Sequence, residues 1–260
     1  MTKTITFANF KGGVGKTTAS VMFSYIMNKQ GKKVLLVDLD PQHNATDIIF
    51  KTYGIDSKEY NSVFDGIASK DLSQCIYGVD DNLHIIPSDL DLVGFSQYLY
   101  SHTKDKRKQS FVLDRLLSEV KGDYDYVFID VPPTISELTN NAVVASDYVL
   151  LILQTHEQSF DASLQFIEYL RDMQEYNSDI DLLGAVAYLV DSRGIVDNEI
   201  IQEAENVFKN ILFKNKIMNR QRIKRYGRYG ITNVDTHDEN AIAMFESVVN
   251  EFLERVVQVV

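Results

Sequence analysis

Apolar runs recur along this chain at 4–10, 33–38, 83–87, 125–131, 147–153 and 182–190, mostly separated by helix-length segments. That alternation predicts parallel strands joined by crossover helices, because such strands are buried on both faces. The predicted fold class is α/β, a mostly parallel twisted β-sheet with helices on both faces. The first run, Thr4 to Phe10, leads through glycines into a helical pattern over Thr17 to Gln30. Val21, Met22, Ile26 and Met27 share one face of that helix, and Gly31 stops it. The polar, mixed region 51–82 predicts surface helices or excursions. His102 to Lys108 reads as an exposed connection before a helix that begins near Ser110. Near the end, Ile242, Phe245, Val248, Val249, Phe252, Leu253, Val256 and Val257 form a helical stripe, predicting a helix over 240–257 packed on the sheet. The final Val256-Val257-Gln258-Val259-Val260 offers a surface for a partner subunit or protein.

With 260 residues and 45% hydrophobic content, the chain supports one domain over 1–260. It contains no run of eighteen apolar residues and enters a strand at once, so neither a transmembrane helix nor a cleavable signal is expected. The single Cys75 excludes an internal disulfide and suits a cytoplasmic protein.

The densest chemistry lies in Lys11-Gly12-Gly13-Val14-Gly15-Lys16-Thr17-Thr18. These residues fit the phosphate-binding pattern G-x-x-x-x-G-K-[ST] in part, and they stand between a strand and a helix as that pattern requires. Glycines let backbone N–H groups turn towards phosphate oxygens, and the helix N-terminus adds partial positive charge. Lys16 is placed to reach terminal phosphates and the Thr17 hydroxyl to coordinate Mg²⁺. Asp38 and Asp130 end apolar runs, so both can converge on this loop. They suit carboxylates that orient water around Mg²⁺, which keeps several of its waters.

Lys11, at the start of the loop, resembles the signature lysine of the deviant Walker A box in ParA/MinD-class P-loop ATPases. The resemblance continues through Val37-Asp38-Leu39-Asp40-Pro41-Gln42, Asn44-Ala45-Thr46 and Phe128-Ile129-Asp130-Val131-Pro132-Pro133. More loosely, it extends through Asn141-Ala142 and Asp191-Ser192-Arg193 towards the C-terminus. The chain thus resembles a ParA-type DNA-partitioning ATPase of the short type, without an N-terminal helix-turn-helix.

That resemblance implies ATP and Mg²⁺ as cofactors, with Gly12, Gly13, Val14, Gly15, Lys16, Thr17 and Thr18 around the phosphates. It implies that Asp40 positions the attacking water, although a turn aspartate before Pro41 fits the same residue. Lys11 would cross to the phosphates of a partner subunit in an ATP-bound homodimer, stabilising charge as an arginine finger does. The guanine-reading [NT]-K-x-D pattern is absent, which leans towards adenine. Relatives place an Ile-Pro turn against the base; here Ile217-Met218 and Asn219 stand there, making Met218 and Asn219 base-contact candidates.

Charge adds a second clue. The chain carries −11 overall, yet residues 209–228 hold eight basic and no acidic residues. Within segment 209–230, the DNA-contact candidates are Lys214, Lys216, Arg220, Arg222, Lys224, Arg225 and Arg228. A positive patch on a negative body suits a polyanion, here non-specific double-stranded DNA met through phosphates. About six such contacts give a log–log salt slope near −5. A solvated basic face paired with acidic surface elsewhere is the alternative on charge alone. The resemblance further implies a ParB-like or other centromere-binding partner and a nucleoid-associated location.

A MinD-like positioning ATPase, working on membrane or a protein scaffold, is the competing function. Its membrane helix would be basic, whereas Glu246, Glu251 and Glu254 here face Arg255 alone, so no membrane partner is expected. One cysteine excludes an iron-protein cluster shared across a dimer. The absence of tyrosine after Tyr229 argues against a P-loop tyrosine kinase.

Overall fold

The computed structural model describes residues 1–56 and 59–258. In chain order the first half runs β1 (Lys3–Ala8), α1 (Lys16–Lys29), β2 (Val34–Asp38), α2 (Asn44–Tyr53), α3 (Val63–Ser69), β3 (Tyr77–Asp80), β4 (Leu83–Ile86), α4 (Phe95–His102), α5 (Lys106–Ser110) and α6 (Val112–Ser118). The second half runs β5 (Tyr126–Asp130), α7 (Glu137–Val144), β6 (Tyr148–Gln154), α8 (Glu157–Met173), β7 (Asp181–Val190), α9 (Ile195–Phe208), β8 (Ile217–Met218), α10 (Tyr226–Tyr229) and α11 (Thr236–Gln258).

The strands form one eight-stranded sheet, ordered β3-β4-β2-β5-β1-β6-β7-β8 among the described residues. Every pairing is parallel except β3 with β4. Helices cover both faces, as the sequence predicts. Ile5, Phe7, Leu36 and Phe128 turn to one face, where α1, α2 and α11 pack. Leu35, Val37, Val127 and Ile129 turn to the other, under α3, α4 and α6. Phe7, Phe23, Phe128 and Phe252 meet edge to face at 5.2–6.2 Å, locking α1 and α11 onto the sheet centre. That lock fixes where the loop between β1 and α1 emerges.

Three local expectations change. The stretch 102–108 is largely helical: α4 runs through His102 and α5 starts at Lys106, where the Asp105 carboxylate accepts from the Arg107 and Lys108 N–H groups. The edge strands β3 and β8, of four and two residues, lack the apolar run that marks the others. The C-terminal helix begins at Thr236, four residues earlier than the stripe shows; Val259 and Val260 lie outside the described residues.

Candidate nucleotide site and basic face

The glycine loop leaves β1 and enters α1 through Gly13 at φ 76° and Gly15 at φ 100°, a left-handed turn that favours glycine. Gly15 is the N-cap of α1; no side chain caps that end and no acidic residue stands in its first turn. The first helical bond runs from Ala19 N–H to Gly15 O at 2.8 Å. The earlier N–H groups and the positive end of the helix dipole are thus left for an anion.

Lys16 is 6% exposed, and its Nζ donates to Lys11 O at 3.4 Å. Burial lowers its pKa, while the charges of Asp130 and Asp40 push the other way. Lys11, Gly12 and Gly13 are exposed, and Val14 is buried in the core beneath the loop. The Lys11 side chain makes no ion pair among the described residues.

Strand register brings the carboxylates together. Asp130 pairs in register with Phe7 on one side and Asp38 on the other. Their environments differ. Asp38 accepts from Asp40 N–H at 3.1 Å, Thr46 N–H at 2.9 Å and Thr46 Oγ1 at 2.8 Å. Burial still pushes its pKa up to about 6. Both Asp130 oxygens are buried without a hydrogen-bond partner. Burial, then the Asp38 charge, raise its pKa well above the usual range. The Thr17 hydroxyl lies close enough to oppose that shift without reaching hydrogen-bond geometry, and Lys16 opposes it more weakly. Asp40 Oδ1 accepts from Gln42 N–H at 2.9 Å, closing a turn before α2.

Asp40, Lys16, Thr17 and Thr18 line a cleft of about 470 Å³ together with Ile48, Ile223, Lys224 and Gly227. Met218 and Asn219 do not join it. They line a neighbouring cleft of about 340 Å³ with Val190, Asp191 and Arg220, because β6 and β7 separate β8 from β1.

Residues 2–182 match the family model described as an AAA domain. The chain is 32% identical over 246 residues to the sporulation initiation inhibitor protein Soj of Bacillus subtilis, covering 88% of this chain and 89% of that one. It is 27% identical over 260 residues to the chromosome-partitioning ATPase Soj of Treponema pallidum, covering 98% of each. The chain belongs to the ParA/Soj family of partitioning ATPases. Among solved structures, cobyrinic acid a,c-diamide synthase from Mycobacterium smegmatis, with a bound ATP analogue and magnesium, aligns with a TM-score of 0.80 and 26% identity, covering 97% of this chain and 95% of that one.

In this partitioning ATPase the basic segment divides in two. Lys214, Arg220, Lys224, Arg225 and Arg228 are exposed, and Arg225 and Arg228 lie over the Tyr229 ring at 5.1 and 5.3 Å. Lys216 faces Glu205 at 3.6 Å. Arg222 turns inward instead, bonding Asp235 and pairing with the fully buried Asp238 at 3.3 Å. A side chain spent on two carboxylates is poorly placed for DNA. Arg222→Ala strands Asp238 as an uncompensated buried charge, so we expect a loss of about 3 kcal/mol and a melting temperature about 10 °C lower by calorimetry. An unchanged melt would show that the pair is expendable.

Two further residues of the ParA/Soj-family site escape the motif. Asn9, 1% exposed, donates to Ile152 O at 2.9 Å and Ser163 Oγ at 3.0 Å, and its Oδ1 accepts from Lys11 N–H at 2.9 Å. It thus ties the start of the loop to β6 and α8. Tyr188 of β7 packs its ring against Gly15, and its hydroxyl lies by Thr18. Nothing in the sequence separates Tyr188 from any other aromatic residue in a buried strand. For Asn9, a polar residue ending an apolar strand is the only signal.

Proposed function

We propose that this chain is an ATP-dependent DNA-segregation ATPase whose ATP-bound homodimer binds DNA non-specifically and lets go after hydrolysis. The observation that carries the nucleotide half is the uncapped N-terminus of α1 beside buried Lys16 and an Asp130 with no partner. A buried carboxylate of this kind suits a hydrated Mg²⁺ held chiefly by phosphates and the Thr17 hydroxyl. The magnesium and ATP analogue bound by the Mycobacterium smegmatis synthase support the same cofactors here.

Mg²⁺, when bound, offsets the negative charge that builds on the transferring phosphoryl group. The chain supplies the rest. N–H groups of the loop and Lys16 hold phosphate oxygens. Asp40 keeps one oxygen on Gln42 N–H and orients water with the other. Lys11, exposed and free of ion pairs, is available to a partner subunit's phosphates. Met218 and Asn219, which line a separate cleft at the end of β8, are the base contacts we propose.

The DNA face comprises Lys214, Arg220, Arg225 and Arg228, presented by a loop and one helical turn rather than a recognition helix. Contacts are therefore to phosphates. Hydrolysis would be slow and stimulated by a ParB-like partner, with the protein cytoplasmic and associated with the nucleoid. Among the described residues no helix is long and apolar enough to cross a membrane. Glu251 of α11 is occupied by the backbone of Lys214 and Asn215 and by Arg255.

The test is binding to random-sequence duplex with ATP, ADP or no nucleotide over a salt series. We expect ATP-dependent binding, and Arg225→Ala/Arg228→Ala to weaken it and flatten the log–log slope by about 2 per protomer. Absence of DNA binding in every state, with ATP dimers still forming, would refute the DNA half.

A further inference from the structure

The loop cleft is poor in positive charge for a site that receives a triphosphate. Among the described residues that line it Lys16 is the buried cation, Asp40 lines it as well, and the Asp130 and Asp40 charges act on the Lys16 amine. A second lysine, Lys224, lines the same cleft together with Ile223 and Gly227. Its place is built rather than incidental. The residues around it, Ile223 and Tyr226, are buried at 4% and 2% exposure, so the backbone that carries Lys224 is fixed in the core. Lys51 Nζ of α2 donates to Gly227 O at 3.0 Å, and Ile231 N–H donates to Thr52 Oγ1 at 2.8 Å. Gly230, at φ 74°, lies so close to Thr52 that a Cβ there would meet its backbone nitrogen at 2.5 Å. Arg225 and Arg228, by contrast, lie over Tyr229, which is itself exposed.

We propose that Lys224 is a phosphate ligand of the nucleotide in its own subunit, and not part of the DNA-facing set. This inference rests on the reading above that ATP occupies the loop cleft. An amine on a fixed backbone adds a charge-assisted contact at the cost of ordering its own side chain alone, with no loop to order besides. It also makes the basic segment one wall of the nucleotide site, so that an arriving phosphate chain contacts the element that carries the DNA face.

The experiment is titration of a non-hydrolysable ATP analogue with Mg²⁺, without DNA, into four full-length proteins: wild type, Lys224→Gln, Lys224→Arg and Lys32→Gln. Lys32 is exposed just before β2, at the end of the sheet away from the loop, and controls for net charge. We expect Lys224→Gln to bind about tenfold more weakly, the scale of one charge-assisted hydrogen bond. Lys224→Arg should recover most of that loss, and Lys32→Gln should match wild type. In ATPase assays, Lys224→Gln should raise KM by a similar factor with kcat nearly unchanged. Equal affinity in wild type and Lys224→Gln overturns the proposal, as does an equal loss in Lys224→Gln and Lys32→Gln. Failure of the wild type to bind the analogue at all would instead overturn the nucleotide reading on which the proposal rests.

Discussion

Gly15→Ala is expected to weaken nucleotide binding and to lower ATP turnover by at least roughly 100-fold, the scale of a loop misplaced by about 1 Å at a reacting centre. The cause is local and steric. A Cβ on Gly15 would stand 2.1 Å from the Tyr188 ring, far inside contact distance, and φ 100° is strained for any side chain. Tyr188 cannot yield, since it is 2% exposed and packs against Phe245 at 6.3 Å. Overpacking and backbone strain together cost about 4 kcal/mol, visible as a lower melting temperature. Adding Tyr188→Ala removes the clash but empties a buried aromatic site at about 3–5 kcal/mol, so the two changes should be less than additive: the double variant should melt below Tyr188→Ala by the φ strain alone and not by the full cost of Gly15→Ala. If Gly15→Ala bound the nucleotide analogue as wild type does, the loop would be an ordinary turn.

The second large effect belongs to Asp130. We expect Asp130→Asn to weaken magnesium-dependent nucleotide binding by about 10–100-fold, as loss of a carboxylate behind a metal's first ligands does. The same change should stabilise the protein free of nucleotide and metal above neutral pH. In the folded chain, burial and Asp38 hold the Asp130 pKa well above its unfolded value, and burial raises Asp38 to about 6. A carboxyl with a raised folded pKa contributes stability that is fully present below its unfolded pKa, near 3.8. That stability is lost as pH climbs through the folded pKa. Wild-type stability should therefore decline from about pH 4 through both groups, the Asp38 share ending near pH 6 and the Asp130 share continuing above it. Asp130→Asn should decline less steeply from about pH 4 to 6 and stop declining above it. Denaturant melts across that range, with chelator present, measure both, and parallel curves for the two proteins would contradict the assignment.

Much of this was legible in the sequence, for identifiable reasons. A strand, glycines, a lysine, a hydroxyl and a helix are local, so their spacing alone places Lys16 and Thr17 at the mouth of α1. Asp38 and Asp130 were legible because parallel strands end on one edge of the sheet. Their inequality was not: it depends on Thr46 and Asp40 N–H groups reaching Asp38 and none reaching Asp130. Charge counting picked out the basic segment but could not show the pairing of Arg222, whose partners Asp235 and Asp238 come after the window and turn towards it only in the fold. Tyr188 was invisible because its role is a contact with a glycine on another strand's loop. The short edge strands β3 and β8 bury too little to leave a periodic signal.

The helix α2 has its first turn at Thr46, held by Asp38, and its last at Lys51 and Thr52, which hold the backbone at Gly227 and Ile231. Each residue of an α-helix turns the chain by about 100° and advances it about 1.5 Å. Adding or deleting one residue inside α2 would therefore swing one set of attachments almost to the side while the other stayed in place. The ten-residue length of this helix is thus a gauge between motif and basic face. Its residue count is therefore a mechanical dimension of the molecule, as much as the side chains that make the attachments.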